Sequence, residues 1–347
     1  MRGGGSVEHL SFRAQRGIQA ARWIPRCARN DRRIDCGMRT KVIVNPMAAK
    51  GRMAKRWPWY RARLEAALGP LDVSFTERAG DATRWACEAV RSGVERFVVL
   101  GGDGSVNETL NGMLSSGVDA SRLTLSPMPA GTGNDTCRGV GVPLDPAAAI
   151  DALATRPTRP LDVMRVELSG LDGAPVTRHG LILVSFGAPA AISRNASASR
   201  WMKRLGSVAY YLATPPVVLT YAARATRIAI DGAPAEERAL FGGMIAGLPN
   251  GGGGMKLVPP ARPDDGLLDM VELGRIGRLE ALFKLMPKLY DGGHLAHPSV
   301  SLRQGMRSIR LESGDAETLV DLDGETVGRL PATVTVLPNA IRVPDFR

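Results

Sequence analysis

The stretch Phe97-Val98-Val99-Leu100-Gly101-Gly102-Asp103-Gly104-Ser105-Val106-Asn107-Glu108 sets the fold class. Four apolar residues that favour strands run straight into a glycine turn, and a helix opens after it. Strand, glycine turn and helix start together form an anion site. Glycines let backbone N–H groups approach phosphate oxygens, and the helix N-terminus adds positive potential. Asp103 runs against that field. A carboxylate among phosphate-binding amides makes sense where it acts through Mg²⁺ or orients a phosphate chain; the alternative is a tight strand-to-helix turn with a capping Asp.

The same grammar recurs on either side. Pro129-Ala130-Gly131-Thr132-Gly133-Asn134-Asp135 follows a strand ending near Ser126, and Asn45-Pro46-Met47-Ala48-Ala49-Lys50-Gly51 follows Lys41-Val42-Ile43-Val44. Glycines, a hydroxyl and paired Asn/Asp side chains suit hydrogen bonds to phosphate and ribose. Around these loops, strand patterns at 41–44, 71–76, 97–100 and 123–127 alternate with helical patterns near 52–68, 81–92 and 106–116. That alternation predicts an α/β domain whose ligand loops leave the carboxyl ends of the strands. Other nucleotide and hydrolase signatures are absent. Gly251 to Lys256 has neither the spacing nor the hydroxyl of a P-loop, and no H-R-D, D-F-G or G-x-S-x-G set occurs.

Beyond Thr155 to Pro160, read as a linker rich in Pro and Arg, short strands are expected at 161–168, 180–186, 226–231, 239–246, 267–273, 306–311, 318–322 and 333–337. Helical stretches interrupt them near 201–213 and 278–290. The pattern predicts a β-rich, sandwich-like second domain. The boundaries are 38–155 for the first domain and 156–347 for the second, with the C-terminal residues free to return to the first. Residues 1–37, with glycines at 3 to 5, scattered arginines and no signal-peptide stretch, read as a non-native or disordered leader, and Met38 as the natural start.

Apolar residues at 44% and charged residues at 23% give the balance of an ordinary globular protein. The net charge is +11, but residues 1–38 hold eight Arg and three acids, so the body is only moderately basic. Such a surface suits nucleic acid, anionic lipid or a phosphorylated substrate without choosing among them. Cys27 and Cys36 lie in the leader, and Cys87 and Cys137 have no partners at metal-ligand spacing, which points to a reducing compartment. His294 and His297 lack a ligand pattern and read as surface or packing residues. The longest apolar run, Tyr210 to Ala223, is interrupted by Pro215 and Pro216, so any membrane contact must be peripheral. Arg200-Trp201-Met202-Lys203-Arg204, with Tyr210, Tyr211 and Val217 to Leu219 beyond, reads either as a segment resting at lipid headgroups or as a helix packed on the β-domain with its basic end solvated.

The ordered set Asn45-Pro46, Gly101-Gly102-Asp103-Gly104, Pro129 to Asp135, Asp264-Asp265-Gly266-Leu267-Leu268-Asp269 and Leu322-Asp323-Gly324-Glu325 resembles the soluble diacylglycerol kinase family. Sphingosine, ceramide and bacterial lipid kinases share that catalytic unit. The resemblance spans about residues 40 to 343. It implies a nucleotide domain like those of NAD kinase and phosphofructokinase, then a β-rich domain, with ATP in the cleft between them.

By that resemblance, ATP meets Asn45, Pro46, Met47, Ala48 and Ala49, then Thr76 ahead of Gly80-Asp81. It also meets Gly101, Gly102, Asp103, Gly104, Ser105, Val106 and Asn107, and Gly131, Thr132, Gly133, Asn134 and Asp135. A structural Mg²⁺ falls to the Asp265 side chain with the carbonyls of Arg262 and Leu267, an oxygen-only set that suits this ion. Asp103 and Glu325 are the catalytic residues, Glu325 matching the proton acceptor. Phosphoryl transfer to a hydroxyl independently calls for a carboxylate near the acceptor. Two departures stand out: Ser105 keeps the hydroxyl of the usual Thr, while Ala49 replaces a common glycine and is expected only at negative φ.

The function implied is ATP-dependent phosphorylation of a lipid hydroxyl, by default diacylglycerol to phosphatidic acid, by a cytoplasmic protein on the membrane surface. Phosphatidylglycerol, sphingoid bases and ceramide are the other acceptors. The partners are then the lipid and a peripheral membrane surface, with a homodimer allowed and no nucleic acid. A soluble NAD kinase-like enzyme and a catalytically silent lipid- or nucleotide-binding module are the alternatives. The Asp265 and Glu325 motifs favour the lipid kinase over the first, and intact acids at 103, 265 and 325 argue against the second.

Overall fold

Strands β1 (Thr40–Val44), β2 (Asp72–Phe75), β3 (Arg96–Leu100) and β4 (Thr124–Pro127) are parallel, joined by helices α1 (Arg52–Leu68), α2 (Asp81–Arg91) and α3 (Asp103–Leu114). The computed structural model describes residues 39–198, 202, 208–315 and 317–346. The expectations for the leader, for Met38 and for Arg200, Trp201, Lys203 and Arg204 lie outside them. Strands β1, β3 and β4 are buried on both faces, as apolar runs such as Phe97 to Leu100 require, while β2 at the edge is partly exposed. Helix α2 buries one stripe, Ala82, Ala86, Ala89 and Val90. It packs so tightly on α3 that a Cβ at Gly112 would collide with the Thr83 carbonyl. The order β2-β1-β3-β4 places β2 and β3 on opposite sides of β1, and such a switch point opens a crevice at the strand ends.

Helices α4 (Asp135–Val140) and α5 (Pro146–Thr155) follow, neither expected from the sequence. Asp145 caps α5 by accepting from the Ala148 N–H at 2.9 Å, with Pro146 at its first position. The linker expected at Thr155 to Pro160 is a correction. Strand β5 (Thr158–Ser169) begins three residues after α5 ends. Its Arg159 is buried, with the guanidinium 3.1 Å from Asp264 and 3.7 Å from Asp345. Charged partners on two distant segments fix this stretch where its composition suggested freedom.

The second half contains β6 (Pro175–Gly180), β7 (Leu183–Gly187), α6 (Ala188–Ser197), α7 (Val208–Thr220), β8 (Arg224–Ile230), β9 (Glu236–Leu240) and β10 (Gly242–Ala246). After the short pair β11 (Asn250–Gly251) and β12 (Met255–Lys256) come β13 (Leu268–Leu273), β14 (Val300–Met306), β15 (Ser308–Ser313), β16 (Leu319–Leu322) and β17 (Glu325–Pro344). One hydrogen-bonded path runs β14-β13-β10-β7-β16-β17-β4-β3-β1-β2. Strand β17 has 20 residues where the pattern marked only 333–337. Pro331, Pro338 and a left-handed Asn339 (φ 53°) hide its alternation, and register shifts against β5 absorb them. Its end lies parallel to β4, Arg342 beside Thr124.

Four apolar clusters form among the described residues, and three of them are large. One surrounds the first strands and takes in Ile341 and Val343 of β17. A second fills the β-rich half, with Val166, Val184, Ile245 and Val334 at its centre. The third joins Val217 and Val218 of α7 to Phe241, Met244 and Leu285. Helix α7 was expected to stop at 213 but runs through Pro215 and Pro216. Thr214 Oγ1 donates to the Tyr210 carbonyl at 2.7 Å, and burial of Val217 and Val218 anchors the turn beyond the prolines. The stretch expected at 278–290 is a composite: one α-turn at 278–280, a π-turn at 281–285 and a 3₁₀-turn at 286–289. Among the described residues, no helix is long and apolar enough to cross a membrane.

Candidate active site

The three glycine-type loops leave adjacent strand ends and touch one another. Asn45, after β1, donates from Nδ2 to Ser105 Oγ at 3.2 Å and accepts the Met47 N–H at 3.0 Å. Thr76, after β2, lies on the same edge, its N–H donating to the Val44 carbonyl at 2.9 Å. Gly102 is the extended N-cap of α3 and no side chain caps that terminus. A Cβ on Gly131 would stand 2.8 Å from the Gly102 Cα, so only glycine lets the loops meet there. The first loop corrects an expectation. Ala49 (φ 50°), Lys50 (φ 64°) and Gly51 (φ 80°) are three successive left-handed residues. For the two residues with a Cβ this costs roughly 1–2 kcal/mol each, so the surrounding contacts must impose it.

Asp103 reaches across to the third loop. Its Oδ1 accepts the Thr136 N–H and Oγ1, both at 2.9 Å, and its Oδ2 accepts the Asp135 N–H at 3.3 Å. It therefore holds the start of α4, a helix other than its own. Asp135 is buried, and its carboxylate accepts the Gly253 and Gly254 N–H groups at 2.7 Å. Burial, with Asp103 close by, pushes it up to about 6 in spite of those donors. Asn107, assigned to the nucleotide by resemblance, turns its amide onto the Asp323 carboxylate at 2.8 Å and the His179 carbonyl at 3.0 Å. Thr132 is exposed at the loop tip.

Asp323 and Gly324, with φ of 51° and 91°, form the two-residue turn between β16 and β17. Asp323 accepts N–H groups of Leu181, Ile182 and Leu183 at 2.9–3.0 Å besides the Asn107 amide. Burial still raises its pKa. This knot places Glu325, exposed at the head of β17, against the glycine turn: its Oε1 is 3.9 Å from the position of a Cβ on Gly104.

A cavity of about 800 Å³ opens at this point. Its body is apolar, walled by α6, α7, β10 and the 281–289 turns through side chains such as Ile192, Val218, Met244, Leu285 and Leu289. Its neck carries five carboxylates, Asp103, Asp135, Asp321, Asp323 and Glu325. Among the described residues that line it, Arg194 is the one cation. Asp321 is buried and accepts Ser193 Oγ at 2.7 Å and the Gly324 N–H at 3.1 Å. Burial pushes its carboxyl up to about 7. Tyr210 beside it is pushed up to about 12, again first by burial and then by Asp321. An apolar chamber ending in carboxylates at a glycine-lined helix start can seat a lipid with its hydroxyl beside a nucleotide's phosphates.

Comparison with known proteins agrees with that geometry. Residues 39–166 match the family described as the diacylglycerol kinase catalytic domain, and residues 182–344 match the YegS C-terminal NAD kinase beta sandwich-like domain. A protein named diacylglycerol kinase in Staphylococcus haemolyticus is 30% identical over 304 residues, covering 87% of each chain. Its namesake in Staphylococcus carnosus is 28% identical over 306 residues, covering 88% of this chain and 94% of its own. The chain belongs to the diacylglycerol kinase family. A solved structure of a provisionally named diacylglycerol kinase from Bacillus anthracis superposes with a TM-score of 0.74 at 27% identity, covering 93% of this chain and 98% of that one. The protein is thus a lipid kinase, and ATP is the donor that its family uses.

The kinase keeps its expected metal loop apart from this centre. Asp265 is exposed, its Oδ1 accepting the Leu267 N–H at 3.0 Å, and neither Arg262, Asp265 nor Leu267 lines the cavity. Asp162 ties the loop to β5 by accepting the Gly266 N–H at 2.6 Å. The donor set fits a hard cation: one carboxylate and backbone carbonyls, with Asp162, Asp264 and Asp269 adding negative charge nearby. Among the described residues no three His, Cys, Asp or Glu side chains converge as a cage, so carbonyls would have to complete the shell. His294 is fully buried and its Nε2 lies 3.0 Å from the Leu257 carbonyl, a packing role.

Several residues of the site escaped the sequence reading. Asp321 and Ser193 gave no signal, one being an acid in a strand and the other a hydroxyl in a helix. Gly253 and Gly254 did give one. Four consecutive glycines, three of them at positive φ, imply a backbone whose N–H groups face a ligand or a carboxylate, and here that carboxylate is Asp135.

Proposed function

We propose that this kinase transfers the γ-phosphoryl group of Mg-ATP to the free hydroxyl of diacylglycerol at a membrane surface, giving phosphatidic acid. The observation that carries this reading is the apolar cavity ending in carboxylates at Gly104 and Glu325. The loops at Asn45, Gly101 and Gly131 hold the nucleotide, with the N-terminus of α3 toward its phosphates. Bound Mg²⁺ would neutralise phosphate charge, through Asp103 at the neck, while a second ion at Asp265 and the Arg262 and Leu267 carbonyls would stiffen the fold. Glu325 takes the proton from the acceptor hydroxyl, and the buried walls exclude water from the transfer. A neck rich in carboxylates favours an acceptor without negative charge. Diacylglycerol and ceramide meet that condition, whereas phosphatidylglycerol would bring a phosphate against five acids.

The test is phosphorylation from radiolabelled ATP with vesicles carrying diacylglycerol, ceramide, sphingosine or phosphatidylglycerol in turn, and with NAD in solution. Labelled phosphatidic acid should dominate. Preferred labelling of any other acceptor in the set, or no transfer at all, would overturn the reading.

A further inference from the structure

The described residues expose thirteen large apolar side chains, and seven of them fall in two short stretches, 208–219 and 279–290. Leu279 and Phe283 are the most exposed of the seven, at 68% and 73%. Spaced four apart, they share a face of the 278–289 segment, and Tyr290 continues it. Tyr290 stacks on Tyr211 of α7 with ring centroids 6.1 Å apart and planes nearly parallel, so the two stretches form one surface.

The opposite side of the same segment is the cavity wall. Ala281, Leu285, Met286 and Leu289 line it. One piece of chain only a few turns long is therefore apolar toward the lipid chamber and apolar toward the outside. The π-turn at 281–285 widens the helix where this happens and spreads its side chains over two faces. Charge agrees with a particular occupant. Arg275, Arg278, Lys284 and Lys288 are exposed around Leu279 and Phe283. The one acid among residues 275–290, Glu280, is held by Lys284 at 3.3 Å and lies 3.4 Å from His297 Nε2. Apolar tips flanked along the chain by cations match the acyl layer and headgroups of a bilayer with anionic phospholipid.

We propose that residues 279–290, with Tyr211, form the face by which the kinase enters an anionic bilayer, Leu279 and Phe283 reaching the acyl layer. Bilayer and lipid chamber then share a single wall, and an acceptor leaves one for the other without crossing water. This surface rests on the reading above that the enzyme works at a membrane.

Leu279→Ser/Phe283→Ser tests it, since neither side chain lines the cavity. Co-sedimentation with vesicles of phosphatidylglycerol and phosphatidylcholine should weaken about tenfold for each lost side chain. Turnover of vesicle-borne diacylglycerol should fall in parallel, while turnover of a monomeric short-chain diacylglycerol stays at the wild-type level. Lys284→Gln/Lys288→Gln should weaken binding only to the anionic vesicles. Equal vesicle binding by wild type and the Ser variant would refute this surface and leave the membrane reading standing. Wild type that fails to sediment with any vesicle would remove both. An equal loss on monomeric substrate would mean that the two residues serve the cavity, and would also refute the proposal.

Discussion

Glu325 owes its place to its neighbour. Asp323 anchors the turn with four accepted hydrogen bonds, and Glu325 needs no partner of its own to stand beside Gly104. Glu325→Gln keeps the shape and a hydrogen-bond acceptor but removes the capacity to take a proton. It should lower kcat by about 10²- to 10⁴-fold while calorimetry finds ATP affinity near wild type. A loss under about threefold would strip Glu325 of the role of base. Asp321 acts on stability instead. Its carboxyl ionises near 4 in an unfolded chain and at about 7 when buried, so between these values the folded state holds a proton that the unfolded state has released. Its contribution is full below pH 4 and is lost as pH rises through 7. Asp321→Asn can still accept from Gly324 N–H and donate to Ser193, and it removes that titration. Denaturant midpoints followed from pH 5 to 8 should therefore fall less steeply in the variant and be higher than wild type at pH 8.

Helix α4 depends on an acid from another element, which makes Asp103 a structural and a chemical residue at once. Asp103→Asn keeps an acceptor for the Thr136 N–H, so melting should shift by only a few degrees while Mg-ATP turnover falls at least about 100-fold. Asp103→Ala should lose roughly 0.5–2 kcal/mol of stability as well, read from thermal unfolding. Near-normal turnover of the Asn variant would cancel the metal role assigned to it. The contrast between these two functions explains what the sequence could convey. Gly101, Gly102, Gly131 and the strands before them were readable because a glycine turn after an apolar run states its own backbone requirement locally. The partners were not. Asp103 finds Thr136 33 positions away, and Asn107 finds Asp323 216 positions away. No local pattern encodes such pairings, so neither the bond from Asn107 to Asp323 nor the cap on α4 is legible in the sequence. The cavity was hidden for a related reason: its walls are ordinary core residues in α6, α7 and β10, and only the packing leaves the space between them.

Strand β17 joins the two halves of the molecule along 20 residues, with Glu325 at its head and Ile341 and Val343 buried in the first core at its tail. Removing residues 339–346 would take away those two side chains and leave β4 and β5 with open edges. Each large buried side chain lost costs about 2–5 kcal/mol, enough together to consume most of a domain's net stability. The truncated kinase should show no cooperative melting transition at the wild-type temperature and should aggregate through the exposed edges. Retention of the full transition would mean that the tail of β17 is dispensable to the nucleotide half.

The same strand governs the order of events during synthesis. Arg342 is made more than two hundred residues after its neighbour Thr124, an interval of roughly 10–40 s at ordinary elongation rates. Through that interval the nascent nucleotide-binding half carries an unpaired β4 edge at the ribosome, and neither half is finished before the other. Phosphate loops and lipid chamber therefore mature together, after translation has passed β17, so a half-made chain has no completed site in which to hydrolyse ATP.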